Sequence, residues 1–212
     1  MSRILIAVPT YENIYPDTFK SIYELEKGDN EVDFDFFRGY DVANARNVIA
    51  QATIDKGYDY VLMVDSDEVL PKDALINLLE SEQKYMEHNM VLGYCLSRPR
   101  NSTNTSGRTT VFKFGRKDYV VEDVYTGNEL KKLCESGVKK LQVRGGGLAP
   151  ALIHRSVFEK MEYPYFKWID YKSRAQLSED LYFCEKFKSI KIPIFVDTRV
   201  ACGHLMRHID YI

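Results

Sequence analysis

Apolar residues in the first hundred positions follow three patterns, two typical of strands and one typical of helices. Unbroken apolar runs predict strands buried on both faces, strict alternation predicts a half-buried strand, and apolar residues three and four positions apart predict helices. The predicted strands are residues 4–8, 32–37, 61–64 and 91–96. The predicted helices are residues 17–26, 42–56 and 71–88. This β-α-β-α-β-α-β order predicts a mostly parallel α/β sheet flanked by helices.

The pattern changes in the second half of the chain. Residues 98–127 are rich in Pro, Asn, Ser, Thr and Gly and predict a small antiparallel hairpin or flexible insert, not a second domain. Short elements return after it: a strand at 151–154, a helix opening at 178–180 and a strand at 192–196. With 212 residues, 45% of them hydrophobic, the chain has the size of a single α/β domain spanning residues 1–212.

Two carboxylates follow the third predicted strand directly, in the run Val64-Asp65-Ser66-Asp67. The carboxyl end of a strand in an open α/β sheet is where ligands bind. Asp65 and Asp67 point to the same side of an extended segment and together can hold Mg²⁺ or Mn²⁺. The alternative is that these acids are loop and cap residues before the helix at Pro71.

Other candidate residues have an ordinary structural explanation beside a functional one. Arg46, in the first turns of a predicted helix, is placed to meet an anion or is a surface arginine. Glycines 145–147 let the backbone pass close to a ligand or form a sheet corner. Glu179 and Asp180 open a helix, which acids commonly do. The aromatic residues of 164–168 are placed either to stack on a sugar ring or to pack at the edge of the hydrophobic core.

Charge and cysteine content narrow the choice of partner and compartment. The net charge of −2 gives no overall basic footprint for nucleic acid. Residues 98–144 carry 11 Lys or Arg and 5 Asp or Glu, a net +6, which is either a solvated mixed surface or a face for an anionic partner. The four cysteines form no C-x-x-C pair and resemble reduced thiols. With no signal peptide and no apolar run long enough to span a membrane, we expect a cytoplasmic protein.

The candidate residues, taken in chain order, resemble those of the GT-A-fold glycosyltransferases, especially small enzymes of the glycosyltransferase family 2 type. The resemblance covers residues 4–205 and is weakest over 98–137. The matching pieces are Ala7-Val8-Pro9-Thr10-Tyr11-Glu12, Ala43-Asn44-Ala45-Arg46-Asn47, Val64-Asp65-Ser66-Asp67, Gly145-Gly146-Gly147, and Ser178-Glu179-Asp180 with Gly203-His204. The resemblance implies a GT-A (Rossmann-like) fold with a nucleotide-sugar-binding half at 1–97 and an acceptor-side half at 98–212.

The resemblance also implies a role for each matching residue. The donor nucleotide-sugar would contact Pro9, Thr10, Tyr11, Glu12, Arg46, Asp65, Ser66, Gly146 and Gly147. The metal ligands would be Asp65, Asp67 and His204, a set that suits Mn²⁺, with Mg²⁺ as the other choice. Asp180 would be the general base of an inverting enzyme, with Glu179 supporting it.

The implied activity is a metal-dependent hexosyltransferase reaction. A sugar would pass from a nucleotide-diphosphate sugar, UDP being favoured over GDP, to an acceptor hydroxyl on a glycan, a lipid-linked sugar, a protein or a modified nucleic acid. One alternative is a nucleotidyltransferase, although residues 9–12 lack the glycine-rich basic loop that such enzymes carry after the first strand. Another is a non-catalytic nucleotide- or sugar-binding module.

Overall fold

A seven-stranded sheet forms the centre of the computed structural model. The structure describes residues 1–82, 89–96, 107–115, 123–170 and 176–205. The helices are α1 (Pro16–Tyr23), α2 (Val42–Asp55), α3 (Ala74–Glu82), α4 (Gly127–Glu135), α5 (Arg155–Glu159) and α6 (Glu179–Ile190). The strands of the first half are β1 (Arg3–Thr10), β2 (Glu31–Arg38), β3 (Tyr60–Met63), β4 (Glu68–Val69) and β5 (Met90–Tyr94). Those of the second half are β6 (Arg108–Phe112), β7 (Val124–Thr126), β8 (Lys140–Val143), β9 (Gly145–Gly146), β10 (Ala151–His154), β11 (Ile169–Asp170), β12 (Gln176–Leu177), β13 (Ile194–Ala201) and β14 (Gly203–His204).

The strand order of the main sheet is β2-β1-β3-β10-β5-β13-β8. Strands β2, β1, β3, β5 and β13 share one direction, while β10 and β8 run against their neighbours. The predicted mostly parallel α/β sheet is therefore confirmed. The strand at residues 151–154 was predicted, but its place in the sheet was not. It forms β10, which lies between β3 and β5.

Helices cover both faces of the sheet, which explains the unbroken apolar runs. Along β1, Leu5 and Ala7 enter one core, shared with α2, α5 and α6, while Ile4, Ile6 and Val8 enter a second core, shared with α1 and α3. Because successive side chains of a strand point to opposite faces, a strand with a core on each side has no polar position.

The insert of the second half is antiparallel, as predicted. β6 lies between β7 and β9 in a small three-stranded sheet. Two further strand pairs matter for the site. β11 pairs with β12 ahead of α6, and β14 pairs with β4 beside residues 65–67, which we call the acidic loop. Much of the segment of net positive charge, including Arg98 and Arg100, lies outside the described residues.

Helix starts were partly predicted. The Asp41 side chain caps α2 by accepting hydrogen bonds from the backbone of Ala43 and Asn44. The helix predicted at residues 17–26 starts earlier, because Tyr15 is the N-cap residue of α1; Asp17, which its position suggested as the cap, lies in the first turn. The predicted end of α3 near residue 88 falls outside the described residues. No helix among the described residues is both long enough and apolar enough to cross a membrane.

Candidate active site

The acidic loop after β3 lies at the carboxyl edge of the sheet, beside the end of β1. The Val64 backbone N–H donates to the Ala7 carbonyl over 3.1 Å, which continues the β1–β3 pairing. The Tyr15 N–H donates to the Ser66 carbonyl over 3.0 Å and ties the segment before α1 to the same loop. These bonds hold Asp65, Ser66 and Asp67 next to the turn after β1, as expected for neighbouring parallel strands.

Arg46 joins the acidic loop to the start of α6. Its Nη2 lies 2.9 Å from Asp65 Oδ1, and its Nη1 lies 2.5 Å from Glu179 Oε1. The guanidinium is buried, with 3% of the side chain exposed, although α2 was expected to present it to a nucleotide. The residue thus connects three elements that are distant in sequence, and its predicted contact with the donor remains a prediction.

The positive charge of Arg46 and the negative charges of the carboxylates around it stabilise each other inside the protein. Burial by itself would lower the pKa of Arg46, but the carboxylates of Asp65, Glu179 and Asp180 raise it overall. Burial raises the pKa of the Glu179 carboxyl, and the Arg46 charge opposes that rise. No described residue accepts a hydrogen bond from Arg46 Nε, so one donor of a fully buried guanidinium has no partner in the described residues.

His204 meets Asp67 through the short β14–β4 pairing. In that pair His204 lies opposite Glu68, and the next residue, Leu205, donates its backbone N–H to the Asp67 carbonyl over 2.8 Å. The distance from His204 Nε2 to Asp67 Oδ2 is 3.6 Å. Two atoms that ligate one ion at about 2.1 Å each lie about 3–4 Å apart, so this spacing suits a shared cation.

The second nitrogen of His204 determines what faces Asp67. Nδ1 lies 3.2 Å from the Leu96 carbonyl oxygen, which can only accept a hydrogen bond. A neutral imidazole therefore carries its proton on Nδ1 and turns the lone pair of Nε2 toward the Asp67 carboxylate. A lone pair and a carboxylate are stable side by side only when a cation or a proton lies between them.

The two acids at the start of α6 have different surroundings. Glu179 is 5% exposed and paired with Arg46, whereas Asp180 is partly exposed. Ser178 is the N-cap residue, as predicted from its position, but its hydroxyl donates to Asp180 Oδ1 instead of capping the helix. The Leu181 N–H donates to the same oxygen over 2.7 Å. Asp180 is thus held in one orientation while it remains open to solvent.

The turn after β1 divides the residues predicted to contact the donor. Pro9 and Thr10 are buried strand residues, and the Thr10 hydroxyl donates to the Asn13 carbonyl over 2.6 Å. Tyr11 and Glu12 are exposed, Tyr11 by 74%. The side chains of Tyr11 and Glu12 are therefore accessible to a ligand. Pro9 and Thr10 are buried and hold the turn on which those side chains lie.

Gly146 and Gly147 have a packing role at β9. A Cβ atom on Gly146 would lie 2.9 Å from Leu92 and 3.1 Å from the Thr110 carbonyl, and one on Gly147 would lie 3.2 Å from Thr110. Both glycines therefore allow β9 to pack closely against β6. The predicted contact of Gly146 and Gly147 with the donor remains a prediction beside this role.

Two residues near the site were given no role of their own from the sequence. Asn47, next to Arg46, hydrogen-bonds to the backbone of residues 165–166. Glu68 is 3% exposed and its Oε2 has no hydrogen-bond partner among the described residues. Burial raises the pKa of Glu68 well above its usual range, and Asp65 adds to that rise. Their roles could not be predicted from the sequence, because both depend on partners from other elements.

The described residues do not form a complete metal centre by themselves. No group of three or more His, Cys, Asp or Glu side chains in the described ranges is placed to hold a metal ion. Asp67 and His204 meet, while Asp65 is engaged by Arg46. Two surface depressions of about 400 Å³ each lie elsewhere, one beside α1 and one beside α4.

Comparison with known proteins gives likeness at the level of fold. No protein-family model and no curated protein sequence matches the chain. Among solved structures, the chain is similar to A197 from STIV, with 20% identity, a TM-score of 0.61, and coverage of 97% of this chain and 86% of A197. It is also similar to GalNAc-T7, solved with UDP, GalNAc and Mn²⁺, with 10% identity and a TM-score of 0.60. That match covers 97% of this chain but only 44% of GalNAc-T7, so the chain spans less than half of that protein. The chain therefore has a GT-A-like fold.

Proposed function

We propose that the protein is a metal-dependent glycosyltransferase that transfers a sugar from a nucleotide-diphosphate sugar to an acceptor hydroxyl. The observation that carries this proposal is the facing pair of Asp67 Oδ2 and His204 Nε2, 3.6 Å apart at the carboxyl edge of the sheet. Arg46, which is paired with Asp65 and Glu179, links the acidic loop to the start of α6, where Asp180 lies. The fold likeness to a protein solved with UDP, GalNAc and Mn²⁺ supports the same reading.

The residues present fit a hard divalent cation. Asp67 and His204 would hold it, and the diphosphate oxygens of the donor would supply further ligands. The Leu96 carbonyl fixes the imidazole tautomer, as partners of metal-bound histidines commonly do. When bound, such an ion stabilises the negative charge that develops on a departing nucleoside diphosphate.

The remaining steps belong to side chains of this protein. Arg46 holds Asp65 and Glu179 in fixed positions, so that the acidic loop and the start of α6 keep one geometry. Asp180 is the general base, because it is the partly exposed member of the acid pair and can accept the proton of an attacking hydroxyl. Attack from the side of α6, with the diphosphate held at the acidic loop, gives inversion at the transferred sugar carbon.

The donor is a UDP-sugar in this proposal, and Tyr11 and Glu12 contact its nucleoside portion. Both side chains are exposed in the turn that follows β1, beside the acidic loop. This turn carries neither glycine nor a basic residue, which disfavours the triphosphate grip of a nucleotidyltransferase.

Calorimetric binding of UDP and of GDP, each with and without Mn²⁺, tests the donor and metal assignments. We expect one nucleotide, UDP, to bind only with Mn²⁺, and Asp67→Ala and His204→Ala to abolish that binding. Asp29→Ala, which removes an exposed carboxylate in the turn after α1, is the matched control and should bind as wild type does. Metal-independent binding that survives both site variants would refute the metal assignment.

Release of free nucleoside diphosphate from UDP-sugars tests the catalytic assignment. Removal of a general base typically costs about 10²–10⁴-fold in rate, and we expect a loss in that range for Asp180→Asn with nucleotide binding unchanged. A variant that turns over donor at the wild-type rate would remove Asp180 from the mechanism. Nucleotide binding without any turnover in wild type would leave a binding module in place of an enzyme.

A further inference from the structure

Two cysteines that are distant in sequence, Cys95 and Cys202, directly follow the neighbouring strands β5 and β13. The two strands are parallel, and Ala201 pairs with Tyr94 at their ends. The Cys202 backbone N–H donates to the Tyr94 carbonyl over 2.8 Å, so the pairing continues past the end of β13. Extending the register by one residue places Cys202 beside Cys95.

Both cysteine side chains lie on the same face of the sheet. Val91 of β5 belongs to the second core, and Cys95, four positions later, shares its face because successive side chains of a strand alternate. Cys202 packs against that same core. Cys95 is 4% exposed, whereas Cys202 is partly exposed, so a reagent in solution meets the Cys202 thiol first.

The electrostatic surroundings of the two thiols agree with this placement. Burial raises the pKa of both thiols, and the carboxyl group of Glu68 adds to the rise for each of them. For Cys202, the Cys95 thiol raises the pKa further. Glu68 and the two thiols are therefore close neighbours and form one cluster beside the acidic loop.

The spacing of the two strands suits a covalent bond between the sulfur atoms. Neighbouring strands lie about 4.7–4.9 Å apart, and the Cα atoms of disulfide-bonded cysteines usually lie about 4.4–6.8 Å apart. Both cysteines are free in the structure. The other two cysteines, Cys134 and Cys184, lie on the helices α4 and α6 and provide internal controls.

We propose that Cys95 and Cys202 are a dithiol pair that a low-molecular-weight disulfide oxidises reversibly to an internal disulfide. The Cys202 sulfur, as its thiolate, attacks the oxidant, forms a mixed disulfide and releases one small thiol. The Cys95 sulfur then attacks the Cys202 sulfur and displaces the second small thiol. Two cysteine thiols are oxidised while one small disulfide is reduced to two thiols, so protons and electrons balance. This modification does not depend on the proposed function.

The disulfide holds the segment that carries His204. Cys202 lies two residues before His204, and Cys95 precedes Leu96, whose carbonyl oxygen lies 3.2 Å from His204 Nδ1. A bond between the two cysteines therefore closes a small ring with this contact and limits the separation of β14 from the end of β5. Closing a long loop also constrains the unfolded chain, so the oxidised protein should unfold at a higher temperature.

Peptide mapping after treatment with oxidised glutathione tests the pair. The reduced protein is incubated with an excess of the reagent at about pH 8.5, because the raised pKa values of the thiols slow the exchange at neutral pH. Remaining thiols are alkylated in denaturant, and the protein is digested without reduction for mass spectrometry. We expect a cross-link between Cys95 and Cys202 and none at Cys134 or Cys184. The melting temperature should rise by about 5–10 °C and return to its first value with dithiothreitol.

Three variants separate the two steps of the exchange. Cys95→Ala lacks the second nucleophile and should stop at a mixed disulfide between glutathione and Cys202. Cys202→Ala should form no internal disulfide, and its melting temperature should not respond to the oxidant. Cys134→Ala removes a partly buried cysteine of α4 and should be cross-linked as wild type is.

Other outcomes would overturn the proposal. Wild-type protein that keeps glutathione on Cys202 without a cross-link shows that Cys95 is out of reach. A cross-link to Cys134 or Cys184 assigns the reactive pair to other residues, and a Cys202 thiol that does not react at all removes the modification site. A cross-link between Cys95 and Cys202 that leaves the melting temperature unchanged refutes the stabilising role of the disulfide.

Discussion

Two arginines each lie between two carboxylates, on different sides of the molecule, and their surroundings differ. Arg199 of β13 uses all three guanidinium nitrogens: Nε and Nη2 bind Asp197 over 3.0 and 2.7 Å, and Nη1 binds Glu80 over 2.5 Å. The Ser81 hydroxyl donates to Asp197 as well, over 2.6 Å. Arg46 at the acidic loop binds one oxygen each of Asp65 and Glu179, and its Nε has no partner among the described residues.

The difference separates a cluster that stabilises the fold from one that the proposed function assigns to the active site. Asp197 is completely buried, and its interactions tie β13 to α3. Asp65 is 41% exposed and faces solvent on one side. A closed and fully bonded cluster stabilises the native state, whereas the partly exposed carboxylate of Asp65 leaves one side of the second cluster accessible to a ligand.

The largest effect is expected when the closed cluster loses its arginine. Arg199→Ala leaves the buried Asp197 charge without its partner, and breaking a buried ion pair in this way costs about 3–5 kcal/mol. The free energy of unfolding from denaturant titration should fall by that amount, while turnover per folded molecule stays unchanged. Lys20→Ala, which removes an exposed ion pair with Glu24, should change stability by less than about 0.5 kcal/mol. Equal effects of the two variants would contradict the contrast between buried and exposed pairs.

A matched pair of lysine variants tests the contrast between the two arginines. Lysine keeps the charge but cannot bind two carboxylates through a planar fork. Arg46→Lys should lower turnover of donor about 10²-fold, because small displacements of catalytic groups have effects of that size. Arg199→Lys should lower stability and leave turnover of the folded protein unchanged. If Arg46→Lys lost only stability, the acidic-loop cluster would be structural too.

The smallest effect is expected at Glu129, a partly exposed acid on α4. The Lys113 ammonium and the Thr126 backbone N–H lower the pKa of Glu129 to about 2. Since the unfolded value is about 4.3, the folded state gains stability that is complete above pH ~4.3 and is lost as the pH falls toward 2. The side chain is 45% exposed, so screening limits the gain to less than about 1 kcal/mol.

Glu129→Gln isolates this charge, because glutamine can still accept the capping-box hydrogen bond. Denaturant titrations across the pH range should show the variant slightly less stable than wild type at pH 7. The two curves should converge as the pH approaches 2. Curves that stay parallel at all pH values would assign the difference to packing instead of charge.

Local signals in the sequence predicted much of the fold. The apolar run at residues 61–64 predicted β3 because a strand between two cores needs apolar residues at every position. The start of the helix at residue 42 could be predicted because the Asp41 cap depends only on neighbours two and three residues away. The capping box of Thr126 and Glu129 at α4 has an equally local pattern, and it could have been found.

Contacts between distant residues could not be predicted in the same way. Arg46 and Glu179 are separated by 133 positions, and no local pattern indicates that they meet. The placement of His204 depends on a two-residue strand pairing with Glu68 and Val69, too short to leave a periodic signal. The resemblance to glycosyltransferases led us to expect His204 near Asp67, and the two lie 3.6 Å apart. The ligand roles inferred from that resemblance stay predictions.

The position of β10 has a consequence for how the polypeptide assembles. Ala151–His154 pairs with β3 on one side and with β5 on the other, so no hydrogen bonds in the main sheet join these two strands directly. A fragment that stopped near residue 97 would have two unsatisfied strand edges where the intact sheet has none, and such edges invite aggregation. Native pairing between β3 and β10 joins residues about ninety positions apart, so the sheet closes only after most of the chain has been synthesised.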